Sequence, residues 1–148
     1  MALVVLIAAC DAIAPIASML PGAGPLLTVT TRGGECVDGP CGSVTIVERD
    51  GRVHTTVPGA AELGQLDPVV LASLDAAIKT ADYDAIRATK FTGECPTAFD
   101  GQEAILEFGA PSGVERIASC ETEIDPANPL IAAVVEALAT IGTAIPMF

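Results

Sequence analysis

Five thiols and one imidazole are the side chains of this chain best suited to chemistry: Cys10, Cys36, Cys41, Cys95, Cys120 and His54. With Cys10 set apart, an even number of cysteines remains, which in an oxidising compartment reads as disulfides. Four cysteines allow three pairings, and sequence alone does not choose among them. The favoured set is Cys36–Cys41 and Cys95–Cys120. The first pair brackets Val-Asp-Gly-Pro, a turn sequence that brings its ends together. The second would tie the loop before one strand to the end of its hairpin partner. Zinc is the rival use of these thiols. It calls for two close Cys pairs, and only Cys36-x4-Cys41 has that spacing, with the one histidine far away. No metal is expected.

Catalysis finds less support. A nucleophile needs a base beside it, and His54 lies in a predicted strand two residues after Arg52. A packed or solvent-facing strand histidine is the simpler reading. A small hydrolase using His54 is the alternative, and it requires a Ser, Thr or carboxylate within hydrogen-bond reach. No G-x-S-x-G elbow, phosphate-binding glycine loop, dinucleotide fingerprint, H-E-x-x-H helix or C-x-x-C pair occurs. The expectation is therefore a protein without catalytic machinery or cofactor. Two acidic loops could address calcium, one through Asp100 and Glu103, the other through Glu121, Glu123 and Asp125. Neither follows the D-x-[DN]-x-[DN]-G pattern. Asp100-Gly101 reads as a turn and Asp125 as a helix cap.

Cys10 has a different context. Residues Leu3 to Ala9 form an apolar run too short to span a bilayer. Ile7-Ala8-Ala9-Cys10 resembles the lipobox of bacterial lipoproteins: an aliphatic residue, two small ones, then cysteine. That resemblance implies cleavage before Cys10, acyl chains on its sulfur and new amine, and attachment outside the cytoplasm. No Lys or Arg precedes Arg32, so the basic segment of such leaders is not among these residues. The competing reading is a buried apolar helix over residues 1–20 with Cys10 as a core thiol. On the lipoprotein reading, residues 1–9 are the remnant of a signal peptide. Residues 10–25, rich in Ala, Pro and Gly, are the lipidated cysteine and its tether. Residues 26–148 form one domain.

Charge narrows the partners. Nineteen acidic and seven basic residues give a net charge of −12. Nucleic acid is excluded as a partner for want of a basic cluster, as is a polybasic membrane contact. Aromatic residues are 3% of the chain and Trp is absent, which argues against a base-stacking or sugar-binding platform.

The elements that must position these residues read as follows. Residues 25–31 alternate β-branched residues and predict a strand. Residues 43–57 predict a hairpin about Asp50-Gly51, both in the positive-φ turn conformation. Asp67-Pro68 caps a helix whose Leu71, Leu74 and Ile78 face the core. Tyr83 and Ile86 mark a second helical turn. Residues 103–121 form another hairpin around Ala-Pro-Ser-Gly, with Leu106 and Phe108 buried. Asp125-Pro126 repeats the cap signal ahead of a helix with Leu130, Val134, Ala137, Leu138 and Ile141 on one side, stopped at Gly142. The sum is an α+β fold: a two-layer antiparallel sheet of two hairpins and an extra strand, covered by two helices. This order is loosely similar, over roughly residues 25–120, to emfourin-like small protease inhibitors, with no motif that carries a residue across.

The reading is a lipid-anchored extracytoplasmic binding protein, held at the membrane through Cys10 and recognising an envelope or extracellular protein by its loops or an uncovered sheet face. A secreted protease-inhibitor-like module and a structural envelope lipoprotein are the alternatives.

Overall fold

Alternate β-branched and apolar residues set the centre of the molecule. A computed structural model describes residues 24–36 and 39–143. Its strands are β1 (Leu27–Cys36), β2 (Gly39–Val47), β3 (Arg52–Val57), β4 (Ala61–Gln65), β5 (Glu103–Ala110) and β6 (Gly113–Ala118). They form one antiparallel sheet of order β4-β3-β2-β1-β5-β6. Three helices, α1 (Pro68–Thr80), α2 (Tyr83–Ala88) and α3 (Pro129–Thr140), complete an α+β fold.

The predicted lone strand is the seam. β1 lies between the two hairpins, pairing Leu27 with Val47 on one side and Phe108 on the other, and Val29 with Thr45 and Leu106. Because side chains alternate across a strand, this register gathers Leu27, Val29, Val47, Val53, Leu106, Phe108 and Ile117 on one face, all buried. Leu74 and Ile78 of α1, and Leu130, Val134 and Leu138 of α3, close the core over it. Each such side chain contributes roughly 1.5–3 kcal/mol by leaving water. Thr28, Thr30, Ile46 and His54 fall on the other face, which no helix covers among the described residues.

The caps explain where the helices begin. Asp67 accepts from the Val69 N–H at 2.8 Å, with Pro68 at the first helical position. Asp82 caps α2 through the Ala85 N–H. The cap of α3 is not Asp125. Asn128 takes that role, accepting from Leu130 N–H at 3.0 Å with Pro129 next. Asp125 instead accepts from Ala127 N–H and holds the turn before the helix. Two Asx-Pro pairs stand three residues apart, and the one adjoining the apolar stripe wins. Gly142, at φ 72°, ends α3 as expected.

Two further features depart from expectation. Of Asp50-Gly51 only Gly51 has positive φ, at 86°. The Gly51 N–H donates to Glu48 O and the Glu48 N–H to Arg52 O, so the loop has three residues, Arg49 to Gly51, and ends in a left-handed glycine. A Cβ at Gly51 would lie 2.7 Å from Gln65 Nε2, because the turn tucks beside β4. β4 itself, Ala-Glu-Leu-Gly-Gln, was not anticipated. It is exposed along its whole length and has only Ala61 and Leu63 as alternating apolar residues, so pairing with the free edge of β3, helped by the Arg52–Glu62 bond across it, makes it a strand.

Candidate functional site

The residues from Cys95 to Gln102 form a loop that is short, fixed and capped by an exposed aromatic ring. Pro96 to Phe99 make one 3₁₀ turn, started by the fixed φ of proline. The Ala98 N–H donates to Cys95 O at 2.9 Å and the Gly101 N–H to Pro96 O at 2.8 Å. Asp100 closes the turn with a left-handed backbone, φ 64°, which Asp tolerates better than most residues. Its Oδ1 accepts from the Glu35 N–H of β1. Asp100 is thus part of a turn, as its sequence suggested, and it also bonds the loop to the sheet.

Both disulfides brace this region. Cys95 and Cys120 are joined, with Cα atoms 5.1 Å apart, which ties the start of the loop to the residues after β6. Cys36 and Cys41 are joined, with Cα atoms 5.2 Å apart, which closes the tip of the β1–β2 hairpin. Both bonds follow the favoured pairing. The end of β1 packs directly on the loop: it bulges at Gly33 and Gly34, both at positive φ, and a Cβ on Gly33 would lie 2.5 Å from Thr97 Cγ2. On the loop's far flank Glu103, 2% exposed, accepts from Arg32 Nε at 2.6 Å across the β1–β5 pairing. A buried carboxylate is costly unless paired, so this bond fixes where the loop re-enters the sheet.

What the bracing presents is Phe99, 69% exposed. The other aromatic side chains whose environment is described are sheltered: Phe108 and Tyr83 are buried and Phe91 is half-buried. In the sequence, residues 92–102 carry no periodic pattern and read as a plain loop. The available signal was an aromatic residue between a cysteine and an Asp-Gly pair in a chain nearly devoid of aromatics.

His54 stands apart from this loop. It lies on β3 opposite Ile46 and Glu62, on the open face. Its Nε2 is 3.9 Å from Glu48 Oε1, beyond hydrogen-bond reach, and its Nδ1 is buried without a partner. Glu48 and Glu62 are both closer to Arg52, at 3.6 and 3.1 Å. Of the second acidic loop, Glu121 binds Arg116 at 3.0 Å and Asp125 its own turn, while the Glu123 side chain has no partner among the described residues. Among the described residues no three metal-ligating side chains converge. Cys10 and the lipobox-like residues before it lie outside the described residues. Among the described residues no helix is long and apolar enough to cross a membrane.

No protein-family model matches the chain, and no curated protein sequence matches it.

Proposed function

We propose that the protein is a lipid-anchored, extracytoplasmic binding module that engages an envelope or extracellular protein through the Phe99 loop. One observation carries the reading: the most exposed aromatic ring among the described residues sits on a loop braced by a disulfide and a hydrogen bond to the sheet. Leaving a phenylalanine in water forgoes roughly 1.5–3 kcal/mol of burial. A rigid aromatic knob recovers that energy in a partner's pocket at little cost in ordering, which is how binding hot spots work. Ile7-Ala8-Ala9-Cys10 supports the anchor, which would hold the domain close to partners at the membrane surface.

A protease-inhibitor-like form of this reading is favoured by the same fixed backbone. A loop with hydrogen bonds at both ends and a disulfide at its base resists rearrangement inside a protease cleft.

A photo-reactive phenylalanine at position 99, introduced into the full chain in cells, is expected to yield a discrete crosslinked adduct. The same group at Val114, which is 73% exposed and remote in sequence, serves as the control. Equal adducts from both positions would sink the assignment of Phe99. Metabolic labelling with a clickable fatty acid is expected to mark the wild type and not Cys10→Ser. A panel of thermolysin-like proteases separates inhibition from plain binding: activity should fall with the wild type and recover with Phe99→Ala.

A further inference from the structure

We infer that a second recognition site lies in the groove between the three helices and that it takes a basic peptide segment carrying an aliphatic side chain. This inference does not depend on the Phe99 loop or the anchor.

The groove has a volume of about 420 Å³, enough for one or two side chains of a ligand. Its walls are the C-terminal end of α1, Ala85 and Ile86 of α2, and the segment that leads into α3 with the first turn of that helix. Ile86, Ile124, Leu130 and Ile131 supply an apolar floor. The rim is charged with a single sign. Asp82, Glu123 and Asp125 line it, and no Lys, Arg or His does. Two of these carboxylates already accept a backbone N–H, from Ala85 and Ala127, and these neutral bonds leave their charge uncompensated. The Glu123 side chain has no hydrogen bond or ion pair among the described residues, and its backbone is pinned by a bond from its N–H to Thr89 O at 2.9 Å. The N-terminus of α3 also lines the groove, with most of its first N–H groups already used. Pro129 has no N–H to offer, and those of Leu130 and Ala132 are taken by Asn128.

Elsewhere on the surface several acids are paired with a base, while others, such as Glu94 and Glu136, have no ion pair among the described residues. Asp84 and Glu115 share Arg87, Glu121 has Arg116, Asp75 has Lys79, and Glu62 and Glu48 share Arg52. The groove therefore combines an apolar floor with an unanswered cluster of negative charge. An aliphatic side chain flanked by Lys or Arg matches both, the first by burial and the second by charge complementarity that also speeds encounter. An anionic or purely apolar ligand matches one or neither.

The test is an amide-resolved NMR titration of the full chain with three short capped peptides: Gly-Lys-Ile-Lys-Gly, Gly-Lys-Gly-Lys-Gly and Gly-Glu-Ile-Glu-Gly. The first is expected to move resonances of Ala85, Ile86, Thr89, Glu123 and Ile124, and to do so less at higher salt. Glu123→Gln should weaken its binding roughly two- to fivefold, with Glu94→Gln, an equal loss of charge outside the groove, leaving it unchanged. Ala85→Trp, which fills the groove from α2, should abolish it while the remaining resonances stay dispersed. If Ala85→Trp fails to fold, the Glu123 and Glu94 variants decide alone. Equal shifts with the glycine-centred peptide, shifts scattered over the acidic surface, or concentration-dependent shifts of the groove without peptide, which would mark a second copy as the occupant, would each overturn the proposal.

Discussion

Phe99 and the helix groove both leave apolar surface in water, but they are built in opposite ways. The Phe99 loop is convex and owes its shape to bonds that are local: one 3₁₀ turn, one carboxylate on a backbone N–H, and a disulfide on either side. Phe99 itself contributes nothing to the core. The groove is concave, and its floor is core. Ile131, 1% exposed, and Leu130, 2% exposed, face the groove and also close the interior over the sheet. A projection can be evolved one residue at a time against the same scaffold, because its tip is uncoupled from folding. A groove floored by core residues cannot change without changing stability. Covalent bracing is therefore the expected companion of the first and less needed by the second.

The largest effect that could break this contrast is at the groove. Ile131→Ala should cost roughly 2–5 kcal/mol in urea unfolding, the range for buried aliphatic truncation. A cost below about 1 kcal/mol, at the level of a surface change, would mean the floor is not part of the core. The disulfides come next. Cys95–Cys120 closes a separation of 25 residues and Cys36–Cys41 one of 5. Loop-closure entropy then predicts losses of about 3.5 and about 2 kcal/mol for the paired serine variants. Their spatial reach should differ as well. Cys120 is followed directly by the residues whose backbone pairs with Thr89 and Phe91 beside the groove. Loss of that bond should raise hydrogen exchange in both regions, and loss of Cys36–Cys41 at the loop alone. Equal spread from both variants would erase the distinction.

A smaller effect lies under the covered face, where α2 meets β6. Tyr83 donates to Ile78 O at 3.0 Å, and its pKa is pushed up to about 12, first by burial, then by the charge of Glu115, against the opposing pull of Arg87. The neutral phenol is favoured in the folded state, and the unfolded chain ionises near 10.0. The resulting stability is complete below pH 10 and is lost between there and about 12. Glu115 runs the other way at acid pH. Its hydrogen bonds from Arg87 and then Ser112 hold its carboxyl below the usual 4.5, so that contribution is present above pH 4.5 and disappears as pH falls below it. Tyr83 is the only tyrosine, so its near-ultraviolet titration is unambiguous. Tyr83→Phe should abolish the alkaline loss; an unchanged slope above pH 10 would contradict the assignment.

How much of this was legible in the sequence depended on whether side chains or backbone carried the signal. The hairpins, the α1 cap, the buried Leu106 and Phe108 and the Cys36–Cys41 pair all express side-chain chemistry in a short window, and all were readable. β4 was not, because its stability comes from a neighbour's free edge. The α3 start was misplaced because Asp125-Pro126 and Asn128-Pro129 are equivalent as dipeptides, and only tertiary packing of Leu130 and Ile131 decides between them. The Phe99 loop was half legible. Its cysteines were seen, but the bond from Glu35 N–H to Asp100 spans 65 residues of sequence, which no local pattern reports.

Phe99→Ala is the smallest expected change in stability and separates the two regions most cleanly. The ring is 69% exposed, and what fixes the turn is the hydrogen bonding of Ala98, Asp100 and Gly101 with the Cys95 crosslink. Truncation removes no buried contact and leaves φ and ψ preferences nearly intact. The unfolding free energy should move by less than about 0.5 kcal/mol, as for other surface sites. The unfolded chain also hides part of the ring, so a slight gain is as acceptable as a slight loss. A cost of about 2 kcal/mol, of the order seen for buried side chains, would mean that the ring packs against its own domain in solution. The projection would then be a lid on the fold, and the contrast between a free tip and a core-floored groove would fail.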